Sequence, residues 1–114
     1  MGLGNCFEIH VKHLYSMSFN DPERLKGMLL VHGVPTGTGN GIEGLEYAHC
    51  WIEENGMVID ISNNADHFVP IPFYYGVGNI REEPDKLFKY NYEEMKLMIV
   101  NHDTYGPWEL NTVR

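Results

Sequence analysis

Cys6, His49 and Asp60 are the three side-chain types that a thiol nucleophile needs, and they occur in a usable order. A thiolate attacks a carbonyl carbon, an imidazole moves the proton, and a carboxylate holds the imidazole in the productive tautomer. Cys6 falls at the first position of an expected helix, where unpaired backbone N–H groups and the helix dipole favour an anion and promote the thiolate. His49 and Asp60 fall on two runs separated by Asn55-Gly56, a strong hairpin signal. With a two-residue loop, Glu54 pairs with Met57, Trp51 lies opposite Asp60, and His49 is diagonal to Asp60. With a four-residue loop from Glu53 to Gly56, His49 lies directly opposite Asp60. In both registers the two side chains share one face of the hairpin, diagonal neighbours being roughly 7–8 Å apart between Cα atoms.

The elements that must position these groups follow from periodicity. Asn5 followed by Glu8 has capping-box spacing, and Phe7, Val11 and Leu14 at i, i+4 and i+7 give the following helix an apolar stripe. Asn20-Asp21-Pro22 ends that helix and opens a short second turn through Leu25, stopped by Gly27. Met28 to Val34 is an apolar run suited to a buried strand. Pro35 to Gly44 is a glycine-rich loop. Leu45 to Glu53 alternates, with Tyr47, His49 and Trp51 on one face and Ala48, Cys50 and Ile52 on the other. Met57 to Ser62 returns, with Val58, Asp60 and Ser62 on one face. Asn63 to Pro70 reads as a loop. Phe73 to Ile80 reads as a further strand, with Pro70 and Pro72 placing its start at a sheet edge. Asn91 with Glu94 opens a last helix through Met95, Met98, Ile99 and His102. Trp108, after the turn-forming Gly106-Pro107 step, is expected to pack on that helix near Met98 or His102. The order helix, strands, helix predicts one α+β domain over residues 1–114, with an antiparallel sheet of about four strands.

Composition narrows the function classes. At 114 residues the chain is sized for one core, and 43% hydrophobic residues are enough to build it. A formal net charge of −8 argues against a nucleic-acid partner, which needs clustered Lys and Arg. No apolar run approaches the ~20 residues that span a membrane, and the first residues lack the charged and apolar regions of a secretion signal. Two cysteines, Cys6 and Cys50, could form one disulfide; the expectation is a reducing cytoplasm with both free. His32, His67, Cys50 and the three catalytic candidates have no compact metal-ligand spacing, so neither metal nor cofactor is expected. Gly39-Asn40-Gly41-Ile42-Glu43-Gly44 spells a dinucleotide fingerprint, but a strand follows it where that site needs a helix.

Asn5-Cys6 opening an amphipathic helix, then Ala48-His49-Cys50-Trp51-Ile52-Glu53 and Gly56-Met57-Val58-Ile59-Asp60, resembles the papain-like and transglutaminase-like cysteine hydrolases over about residues 4–62. The resemblance implies a small papain-like domain with Cys6 as nucleophile, His49 as general base and Asp60 as the orienting residue. It implies hydrolysis of, or acyl transfer from, a peptide, amide or ester substrate without a cofactor. No glutamine precedes Cys6 to supply the oxyanion donor, which leaves Asn5 for that place, with Trp51 as a further substrate contact. The reading of another class is a catalytically silent acidic binding or inhibitor module that uses Trp51, the glycine-rich loop and the aromatic tail.

Overall fold

The computed structural model describes residues 6–37, 41, 43–62 and 66–110. Cys6–Asn20 form helix α1, in which Cys6, Phe7, His10, Val11, Leu14 and Met17 make one buried stripe. Asp21 accepts a hydrogen bond from the Arg24 amide at 3.2 Å and, with Pro22 in the first turn, starts the short helix α2, Pro22–Leu25. Strand β1, Met28–Gly33, follows, and then the hairpin of β2, His49–Glu54, and β3, Met57–Asp60. Asn55 at φ 52° and Gly56 at φ 78° both adopt the left-handed conformations that a two-residue hairpin turn demands. Glu54 accordingly pairs with Met57, and Ile52 with Ile59. The two-residue register is therefore the one formed.

The sheet has five strands in the order β4-β3-β2-β1-β5, with every neighbouring pair antiparallel. Strand β4 is His67–Pro70, inside the stretch expected to be a loop, and β5 is Leu87–Tyr90. The expected strand over Phe73 to Ile80 is instead helix α3, Ile71–Gly78. Pro70 and Pro72 bracket its start, where missing N–H groups cost nothing, and Asn79 at φ 49° terminates it in a left-handed cap. Pro70 does lie at a sheet edge, as the last residue of β4. The final helix α4, Tyr92–His102, opens on a complete capping box: Asn91 and Glu94 each accept the other's backbone N–H at 2.8 Å.

Two cores sandwich the sheet. On one face Leu30, Cys50, Ile52 and Ile59 pack with the stripe of α1 and with Met95 of α4. On the other face Val31, Trp51 and Val58 pack with Tyr75 of α3 and with Ile80. Helices thus cover both faces, and the end of the sheet where β2 begins and β3 ends also receives the first turns of α1.

The tail after α4 folds back over β1 and β5. The Trp108 ring lies 4.7 Å from that of His32 and 5.1 Å from that of Tyr90, and its indole N–H donates to the Thr104 carbonyl at 2.9 Å. Trp108 thus packs on strand residues His32 and Tyr90, against the same core cluster as Met98 and Ile99 of α4.

Candidate active site

His49 and Asp60 meet across the hairpin. The His49 Nε2–H donates to Asp60 Oδ2 at 2.9 Å, in a site where both side chains are nearly fully buried. A carboxylate only accepts, so Nε2 carries the proton of this bond, and Nδ1 is the ring nitrogen that Asp60 does not engage. That atom is buried with no hydrogen-bond partner, and Cys6 lies near enough to the ring to favour its charged form. The three residues singled out by type and spacing therefore converge, although they come from α1, β2 and β3.

Asp60 is held by more than its histidine. The Tyr74 hydroxyl of α3 donates to Oδ2 at 2.6 Å, while Ser62 donates to Oδ1 from its backbone N–H at 3.0 Å and its hydroxyl at 2.6 Å. Burial alone would push the carboxyl up, but the bonds from His49, Ser62 and Tyr74 outweigh it and hold Asp60 well below the usual carboxylate range. Burial also works against charge on His49. The Asp60 and Cys6 bonds and charges reverse this and raise the imidazole to about 9.

A comparison within the same chain shows how strong that reversal is. His32 is as thoroughly buried as His49, but neither of its ring nitrogens has a hydrogen-bond partner, and burial lowers it to about 3. The two histidines differ by the neighbours they were given and not by their depth. Protonated His49 is thus a product of Asp60 and Cys6.

Around the triad lie groups that type and spacing did not single out. His10, one turn beyond Cys6, contacts the carbonyl of Cys6 at 2.8 Å through Nδ1 and the backbone N–H of Ile61 at 3.1 Å through Nε2. Tyr47 is half-buried, with its ring 6.0 Å from that of His49. The Ser62 position on the His49 face was legible from strand alternation, but Tyr74 was not, because its segment was read as a strand.

Trp51 has no exposed surface. Its ring packs 5.9 Å from His49 and 5.2 Å from Tyr74, and its indole N–H donates to Glu53 Oε2 at 3.0 Å. It forms a floor beneath the His–Asp pair. Glu53 is itself buried and satisfied by Trp51, the Tyr75 hydroxyl and the Lys89 ammonium at 2.9 Å. Asn5, the candidate oxyanion donor, lies outside the described residues, as does the expected Asn5–Glu8 cap.

Cys50 sits on the opposite face of β2 from His49, and burial raises its thiol well above the ordinary value. Among the described residues both cysteines are free of disulfides, no group of three His, Cys, Asp or Glu side chains could hold a metal ion, and no helix is long and apolar enough to cross a membrane. Compared with protein-family models, curated proteins and solved structures, the chain matches none.

Proposed function

We propose that the chain is a thiol-dependent hydrolase or acyltransferase acting on an amide or ester through Cys6, His49 and Asp60. The observation that carries this reading is the buried 2.9 Å bond between His49 and Asp60, with Cys6 of α1 favouring the charged form of the same imidazole. In the reaction, Cys6 Sγ forms a bond to the substrate carbonyl carbon, and the developing oxyanion lies near the first N–H groups of α1. The imidazolium gives its proton to the departing amine or alcohol as the C–N or C–O bond breaks. Water or an acceptor amine then attacks the thioester, His49 takes its proton, and the C–S bond breaks to restore the thiol pair. Asp60 keeps the ring oriented and offsets its positive charge throughout.

A second reading has one observation in its favour. Cys6 is 0% exposed, so a reagent reaches it only through local opening. A silent binding module would keep that thiol covered.

Limited alkylation separates the two. With iodoacetamide near neutral pH, Cys6 is expected to label faster than Cys50, because opening one helix end is easier than opening the middle of a five-stranded sheet, and because the Cys50 thiol resists ionisation. Labelling of Cys50 first, or of neither residue in the folded chain, would remove the catalytic reading.

A further inference from the structure

His10 is a buried polar side chain that the mechanism above does not use. Its two bonds fix its protonation state without ambiguity. The Cys6 carbonyl can only accept, so Nδ1 must carry a hydrogen. The Ile61 amide can only donate, so Nε2 must be bare. One species meets both demands, the neutral imidazole with its proton on Nδ1.

Each bond ends on the backbone of the triad or of its immediate neighbour. Cys6 carries the thiol, and Ile61 follows Asp60 directly at the end of β3. An apolar side chain of the same size would fill the space between α1 and the sheet but would leave the Ile61 amide without this acceptor. We propose that His10 is a positioning residue for the Cys6 site: as a neutral imidazole it ties the nucleophile's backbone to the strand end that carries Asp60, and so sets the thiol's place relative to the His49–Asp60 pair. This inference rests on the reading of Cys6 as a nucleophile.

The charges facing the ring explain why the neutral form persists. Asp60 Oδ1 lies 3.6 Å from His10 Nε2, too long for a hydrogen bond, while His49 occupies the other carboxylate oxygen at 2.9 Å. His13, from the next turn of α1, adds a further repulsion in its protonated form. Burial lowers His10 first, the Cys6 carbonyl and Asp60 oppose this, and the positive His49 and His13 add to the lowering. Adding a proton at Nε2 would set two N–H groups against each other at Ile61 and place a second imidazolium on the carboxylate that His49 already uses. Two histidines thus flank Asp60, and the geometry gives the proton to His49 alone.

The test follows His49 by NMR titration in four forms of the whole chain: the parent, Cys6→Ala, His10→Phe and His10→Gln. The parent imidazole is expected to titrate near 9. Removing the thiol in Cys6→Ala should lower it, and an unchanged midpoint would show that thiol and imidazole do not form a pair, which sinks the catalytic reading and this inference with it. If Cys6→Ala does shift, His10→Phe should lower the His49 midpoint by about one pH unit or more, a tenfold change in its proton affinity. His10→Gln, whose amide can both donate to Cys6 and accept from Ile61, should restore most of that shift. A folded His10→Phe chain with the parent's midpoint, or a glutamine that restores nothing, overturns the positioning role and leaves the catalytic reading standing. If His10→Phe fails to fold, the parent still decides: nitrogen shifts should show His10 as the Nδ1–H tautomer throughout the His49 titration, and an Nε2–H tautomer or a co-titrating ring would overturn the proposal.

Discussion

A buried carboxylate that accepts four hydrogen bonds has little freedom to be anything but an anion, and Asp60 is in that position. Its pairing with His49 makes stability depend on pH in two directions. His49 is raised above its ordinary 6.5 to about 9, so its contribution is complete below 6.5 and is lost as pH rises through about 9. Asp60 is lowered from 3.8, so its contribution is present above 3.8 and is lost as pH falls. The pair therefore stabilises most between those two ordinary values. Asp60→Asn should cost about 1–3 kcal/mol in that window, because an amide replaces a charged acceptor. The difference in melting temperature from the parent should be largest near pH ~5–6 and shrink above about 9. A difference that stays flat across this range would mean that the two groups do not share a charge. The same variant should lower the His49 titration from about 9, since Cys6 alone is then left to oppose burial.

Helix α3 is the element whose placement most affects the site. It brings the Tyr74 hydroxyl to Asp60 and the Tyr75 hydroxyl to Glu53, so adjacent residues serve two buried carboxylates. Tyr74→Phe removes one donor from Asp60 and should raise that carboxyl and lower His49, with little loss of packed volume. A His49 titration unchanged from the parent would assign Tyr74 to packing alone. The hairpin was legible because its information is local: Asn55-Gly56 specifies the turn, the turn specifies the register, and period-two alternation then puts His49 and Asp60 on one face. The cap of α4 was legible for the same reason. Segment 71–78 was not, because Ile71, Phe73, Tyr74, Tyr75 and Val77 have strand-forming side chains, and only Pro72 and the left-handed Asn79 mark it as helix. Strands β4 and β5 have four residues each, too short for alternation to stand out. The burial of Trp51 was not legible for a different reason. Alternation shows which face a side chain takes but not whether another helix covers that face, and α3 covers this one.

At the scale of the whole molecule, the tail and the first helix meet over the same sheet face. A Cβ on Gly106, which sits at φ 120°, would lie 2.8 Å from His32 and 3.0 Å from Phe7, the residue next to Cys6. Docking of the tail is therefore felt one residue from the thiol. Trp108→Ala should destabilise the chain by about 1–3 kcal/mol, the scale of losing a large, partly buried ring, and lower the melting temperature by several degrees. Removal of residues 105–114 should do at least as much. Unchanged melting of both forms would free Trp108 for recognition of a partner. The tail's docking also has a built-in reporter. The His32 imidazole is boxed by the rings of Phe7, Tyr90 and Trp108 at 4.8, 5.1 and 4.7 Å, and its lowering to about 3 keeps it neutral over most of the working pH range. Its carbon-bound protons should therefore show strong ring-current shifts that ignore moderate changes in acidity and respond to the departure of Trp108, so one pair of NMR lines can report whether the tail is seated while the lines of His49 follow the chemistry.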